Sequence, residues 1–139
     1  MPIVLSGKID KKKVSYYLSL ISEKNRRKVY FTGFVDDITL GWLYKNSLLF
    51  VYPSIYEGFG YPPLEAIYYG VKTLVSDIPV LRETLNGMAH FVDLKTISSK
   101  DLAEVVEKII SYKSGVEIRE EFYMPDRFRK QMLSIWGKR

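Results

Sequence analysis

The chain has 139 residues, 47% hydrophobic and 27% charged, with a formal net charge of +5 at pH 7, a length that fits one domain around one core. Zero cysteines and a single histidine exclude disulfides, thiolate metal sites, a cysteine nucleophile and multi-histidine metal centres. No apolar run is long enough to cross a bilayer, and the start Met1-Pro2-Ile3-Val4-Leu5 leads into lysines without a small-residue cleavage site, so a cytosolic protein is expected.

The positive balance would draw phosphorylated ligands, anionic lipid or nucleic acid alike. Its densest runs, Lys11-Lys12-Lys13 and Arg26-Arg27-Lys28, read first as a solvated helix face and a polar turn, and second as phosphate or lipid-headgroup contacts. A nucleic-acid face would interleave basic and aromatic residues or carry a known motif; neither is present, and nucleic acid is not an expected partner.

In chain order, short apolar segments alternate with helical patterns, which predicts βαβ units and an α/β fold with a parallel sheet flanked by helices. The predicted strands are residues 3–5, 29–31, 48–52, Thr73–Ser76 and His90–Val92. After the first, Asp10 can cap a helix with Val14, Tyr17, Leu18 and Ile21 on one face. After the second, Asp36 or Asp37 can cap a shorter helix buried through Leu40, Leu43 and Tyr44. After the third, Pro63 suits a first helical turn, where its missing N–H loses no bond, and Gly70 ends that helix.

Asp77-Ile78-Pro79 predicts a short capped helix through Glu83, stopped by Asn86-Gly87. Ser98 with Asp101 is a capping signature ahead of the stripe Leu102, Val105, Val106, Ile109 and Ile110. Ser114-Gly115 breaks the chain, and Pro125 starts a last helix carrying Phe128, Met132, Leu133 and Trp136. No internal repeat or low-complexity linker is visible.

The chemistry concentrates after the third strand. Glu57 and Glu65 flank Gly58-Phe59-Gly60-Tyr61-Pro62-Pro63-Leu64, a glycine loop feeding a helix at the carboxyl end of a strand, where open α/β sheets bind ligands. Gly58 and Gly60 permit a sharp turn and close approach to backbone N–H groups. A helix beginning near Pro63 adds a positive dipole end for phosphate, with Leu64 and Glu65 as the amide donors. Carboxylates accept hydrogen bonds from hydroxyl pairs, as on a ribose or hexose, and repel phosphate unless kept apart from it. A ligand with two polyol ends and a phosphate bridge, a sugar nucleotide, would use all of these. On spacing alone, Glu65 could equally be a favourable first-turn acid and Glu57 an exposed loop residue.

The string from Tyr52 to Ala66, followed by Gly70-Val71-Lys72-Thr73-Leu74-Val75-Ser76-Asp77-Ile78-Pro79-Val80-Leu81-Arg82-Glu83, closely resembles the donor-binding half of retaining glycosyltransferases of the group 1 type. Val29-Tyr30-Phe31-Thr32-Gly33-Phe34-Val35 is more loosely similar to the same family. The resemblance implies the C-terminal, Rossmann-like domain of a GT-B fold. By position, Glu57 would be the catalytic-site carboxylate touching donor-sugar hydroxyls. Gly58, Phe59, Gly60, Tyr61 and Leu64 would contact sugar and diphosphate, and Glu65 would hold the ribose. The base would lie near Gly33, Phe34, Val35 and Gly7.

The resemblance further implies transfer with retention from a UDP-, GDP- or ADP-sugar, with no metal and no cofactor, to a glycan or lipid-linked acceptor. Family members are longer, so an acceptor-binding N-terminal domain is expected to be missing here. Their diphosphate-clamping arginine and lysine follow an earlier strand, and Lys8 does not match that motif. The alternatives are a non-catalytic nucleotide-sugar binding module or one subunit of a split enzyme, and, less well matched, a sugar-nucleotide epimerase. A lone histidine, His90, reads as packed or surface, Asp77 and Glu83 as capping and surface charge, and Tyr68 and Tyr69 as packing. Ile135 and Trp136 on the closing helix predict exposed apolar surface and self-association, and the basic balance would suit an anionic membrane surface.

Overall fold

The computed structural model describes residues 1–112, and the predictions at Ser114-Gly115 and in the helix from Pro125 lie outside them. The chain divides into two compact units, Met1–Leu40 and a second from Gly41 onward.

In the first unit, β1 (Ile3–Ser6) pairs in parallel with β2 (Val29–Gly33), Ile3 facing Val29 and Leu5 facing Phe31, with an irregularity between Leu5 and Ser6. Between them run α1 (Lys11–Ser19) and α2 (Glu23–Arg26). Asp10 caps α1, its carboxylate accepting the Lys12 N–H at 2.7 Å. The predicted stripe reaches Ile21, but the helix ends two residues before it, and Arg26 donates through Nε to the Leu18 carbonyl at 2.8 Å and the Ile21 carbonyl at 3.1 Å across that end. Next, α3 (Asp37–Lys45) begins. Of the two candidate caps Asp36 is the one used, its Oδ1 accepting from the Thr39 N–H at 2.7 Å.

The second unit holds β3 (Phe50–Tyr52), α4 (Tyr61–Tyr68), β4 (Thr73–Ser76), α5 (Pro79–Thr84), β5 (His90–Val92) and α6 (Ser99–Ser111). Its sheet is parallel, in the order β3-β4-β5. All four residues of the central strand β4 are buried, as expected of a parallel strand covered on both faces. Val75 points to one face and packs with Leu64, Ile67, Leu81 and Leu85 from α4, α5 and the turn after it. Leu74 points to the other and packs with Val92 and with Ile109 of α6, flanked by Leu102, Val105 and Val106. The period-two alternation thus divides the core between two helical layers.

The helix ends follow from local chemistry. At the end of α4, Gly70 takes φ +74 while its N–H donates to Ile67 and that of Val71 to Ala66, the paired bonds of a Schellman motif. Ser98 caps α6 reciprocally with Asp101, accepting its N–H at 3.1 Å and donating to Oδ2 at 2.7 Å. At the other end of α6, Lys72 donates through Nζ to the Ile109 carbonyl at 2.7 Å and also to that of Tyr112. A cation there meets both open carbonyls and the negative dipole end. Lys72→Met is therefore expected to lower unfolding free energy by about 1–2 kcal/mol, read from denaturant titration.

His90 opens β5 on an exposed edge, and partial desolvation of its ring, with the Lys72 cation second, holds the imidazole below its ordinary value. The unfolded chain then binds the proton more readily than the folded one. The associated stability is present above about pH 6.5 and is lost as pH falls through the lowered value. His90→Gln should flatten that slope in thermal unfolding scans taken on either side of pH 6.5, and an unchanged slope would contradict the assignment.

Candidate functional site

β3 ends at Tyr52, and the chain then crosses the carboxyl end of the sheet as the loop 53–60 before entering α4. Both motif glutamates are anchored by tyrosine hydroxyls. Tyr52 Oη donates to Glu57 Oε1 at 2.5 Å. Tyr44 Oη, from α3, donates to Glu65 Oε2 at 3.2 Å and lies 3.4 Å from the Pro62 carbonyl oxygen. Burial, then the neighbouring carboxylate, pushes both phenols well above the ordinary tyrosine range. Both therefore stay protonated and remain donors at any physiological pH.

The loop owes its path to one glycine. Gly60 is the N-cap of α4 at φ +87, and a Cβ placed there would lie 2.4 Å from Leu81 Cδ2 in the core. Gly58 differs from the sequence expectation: its φ is not in the left-handed region, and nothing lies within 4 Å of a Cβ built on it. Its missing side chain leaves open space and is not needed for the turn. Phe59 packs half-buried against the core and meets the Tyr61 ring at a tilt, centroids 4.9 Å apart. Ile55 and Tyr56 are exposed.

The start of α4 differs by two residues from the prediction. With Tyr61 first, Pro62 and Pro63 fall in the opening turn, where neither has an N–H to leave unsatisfied. The amides preceding the helix ladder are then those of Gly60 and Tyr61. Leu64 retains 1% exposure and sits in the core cluster.

At the carboxyl ends of β4 and β5 a cleft of about 580 Å³ opens, with Ile55, Ser76, Asp77, Arg82, Asp93 and Lys95 in its wall. Asp77 corrects a sequence expectation. The N-cap of α5 is Ile78, without a side-chain cap bond, and the Asp77 carboxylate instead binds Arg82 through Nε and Nη2, each at 2.5 Å. That pair holds the Asp77 carboxyl below its usual range. Arg82 also lies over the Phe91 ring, 4.8 Å from its centroid.

Within the first unit, the structure brings together two of the residues expected near a base. The Gly7 N–H donates to the Gly33 carbonyl at 2.8 Å, both glycines at positive φ, 119 and 69. Phe34, next in sequence to Gly33, is 80% exposed, and Val35 is half-buried.

Sequence reasoning missed the two tyrosines. It placed Tyr44 on a core helix face and Tyr52 in a strand. A signal was available for Tyr44, because a buried phenol usually needs a polar partner. Tyr69 packs as expected, stacked on Tyr44 at 5.5 Å.

The sequence profile of the family described as glycosyl transferases group 1 matches residues 2–124. The O-antigen chain mannosyltransferase RfbU of Salmonella typhimurium is 37% identical over 143 aligned positions, covering 96% of this chain and 38% of that protein. The serotype-specific mannosyltransferase WbdA of Escherichia coli is 36% identical over 112 positions, covering 79% of this chain and 14% of that protein. This chain therefore spans well under half the length of either relative. The solved structure of sucrose-phosphate synthase from Thermosynechococcus elongatus superposes with a TM-score of 0.71 at 23% identity, over 96% of this chain and 37% of that one. That likeness assigns the fold to part of a GT-B structure.

Proposed function

This chain belongs to the group 1 glycosyl transferases, and on that premise we propose that it binds the nucleotide-diphosphate sugar donor for a retaining, metal-independent glycosyl transfer. The observation that carries this reading is the pair of carboxylates, each fixed by a tyrosine hydroxyl, on either side of a helix start whose first amides are those of Gly60 and Tyr61. Two hydroxyl-binding groups with phosphate donors between them match a ligand with sugar and ribose at its ends and a diphosphate in its middle.

In this reading Glu57 engages hydroxyls of the transferred sugar, and Glu65 holds the ribose. The backbone of Gly58, Phe59, Gly60 and Tyr61, with Leu64 behind it, receives sugar and diphosphate. The absence of a Cβ at Gly58 lets the ligand approach the loop backbone. Gly7, Gly33, Phe34 and Val35 are proposed as the base-binding group. The bond between the anomeric carbon and the diphosphate oxygen breaks, its electron pair leaving with the nucleoside diphosphate. The acceptor hydroxyl oxygen bonds to that carbon on the same face and gives its proton to the departing phosphate oxygen. The positive end of α4 stabilises the charge that develops there. Names of the relatives make a mannosyl donor and a growing polysaccharide or lipid-linked glycan the first substrates to test. Transfer is expected to need an acceptor-binding surface from further domain or partner sequence.

Isothermal titration with uridine, guanosine and adenosine diphosphate sugars and the free diphosphates, in chelator, tests the reading. Saturable binding to one base is expected. A folded chain that binds none of them would contradict it.

A further inference from the structure

The second unit contains a row of four aromatic rings in mutual contact. Tyr69 stacks on Tyr44 at 5.5 Å, Tyr44 meets Phe50 edge-on at 5.4 Å, and Phe50 stacks on Tyr52 at 6.0 Å. The hydroxyls of the second and fourth rings are those that bind Glu65 and Glu57. Rings in mutual contact have little freedom to turn, and Tyr44 is only 5% exposed, so its hydroxyl position is set by packing. A glutamate has three side-chain torsions and loses that freedom only where a partner fixes it.

We propose that Tyr44 and Tyr52 are positioning residues, Tyr44 setting the Glu65 carboxylate for the ribose and Tyr52 setting the Glu57 carboxylate for the transferred sugar. The inference rests on the donor-site reading and adds to it a division of labour carried by two phenols of one packed aromatic row. Tyr44 comes from α3, and Glu65 from the first turns of α4. The bond thus ties the helix before β3 to the helix after it. Tyr52 closes a shorter circuit, from the last residue of β3 to the loop it feeds. A phenol is a neutral donor, which orients a carboxylate without adding a countercharge.

The test uses Tyr44→Phe and Tyr52→Phe, which keep the rings and remove only the hydroxyls. GDP, UDP and ADP are titrated in turn, each beside its 2′-deoxy counterpart, and then the matching sugar nucleotides. The wild type is expected to prefer the ribo form. Tyr44→Phe should lose about tenfold of that preference, the weight of one hydrogen bond to a charged group. Tyr52→Phe should keep it and instead lose the affinity difference between sugar nucleotide and free diphosphate.

Adding Tyr44→Phe to Glu65→Ala should change the ribose preference no further, because the phenol acts through the carboxylate. A purely structural role would lower the melting temperature of both tyrosine variants while leaving the ribo/deoxy ratio untouched in Tyr44→Phe and the sugar-nucleotide advantage untouched in Tyr52→Phe, and that result would overturn the proposal. So would an unchanged ratio in Tyr44→Phe while Glu65→Ala abolishes it, which leaves the donor-site reading standing. A wild-type chain that binds no nucleotide would remove both.

Discussion

Gly60→Ala is expected to destabilise the chain by about 2–5 kcal/mol, whereas Gly58→Ala, two residues away, should change stability by less than about 0.5 kcal/mol. Two costs combine at Gly60. A non-glycine residue at φ +87 carries about 1–2 kcal/mol of left-handed strain. The new methyl would also meet Leu81 Cδ2 at 2.4 Å, and displacing a fully buried leucine costs about 1–3 kcal/mol of overpacking. Against a typical domain stability of about 5–15 kcal/mol, that is a large fraction. At Gly58 neither cost arises, because its φ is ordinary and its surroundings are open. The same openness predicts that Gly58→Ala weakens donor binding while the fold is kept. Denaturant midpoints of the two variants, with a titration of the second, check the contrast.

Glu65→Ala is expected to weaken binding of a free nucleoside diphosphate by about 10–100-fold, the scale of a charge-assisted hydrogen bond to hydroxyls. Glu57→Ala should leave the free diphosphate near its wild-type affinity and weaken only the sugar nucleotide. The Glu65 variant carries a second consequence that an exposed surface acid would not. It removes the carboxylate that the buried Tyr44 hydroxyl binds at 3.2 Å, so a loss of about 1–3 kcal/mol in stability accompanies the loss of affinity. Equal losses for the free diphosphate in both variants would contradict the assigned roles.

Much of this was legible in the sequence because the signals were local. The stripe of α6 and its Ser98–Asp101 cap, the stop at Gly70 and the cap at Asp10 each depend on residues within a few positions of one another. The buried strand β4, Thr73–Ser76, also stood where the sequence put it. What failed depended on distant partners. β3 was expected from residue 48 but begins at Phe50, because its partner β4 starts at Thr73, which pairs with Phe50. Asp77 failed for a local reason instead: five residues on, Arg82 takes its carboxylate in an ion pair that competes with capping.

In the site, the two glutamates and the glycine loop were readable from spacing and resemblance. The tyrosines that hold those glutamates were not, since the Tyr44–Glu65 bond spans a strand and a loop that first have to fold. The different reasons for Gly58 and Gly60 were equally hidden, because they lie in Leu81 and in empty space. The self-association expected from Ile135 and Trp136 falls outside the described residues.

The central claim is that the segment from Glu57 to Glu65 receives a nucleotide-diphosphate sugar. Its most direct test is amide chemical-shift mapping of the nitrogen-labelled chain, titrated in chelator with GDP-mannose and then with UDP- and ADP-sugars. Saturable shifts concentrated on Gly58, Gly60, Tyr61 and Glu65 are the predicted result. Saturable shifts confined to other residues, with the Glu57–Glu65 amides unmoved, would contradict it.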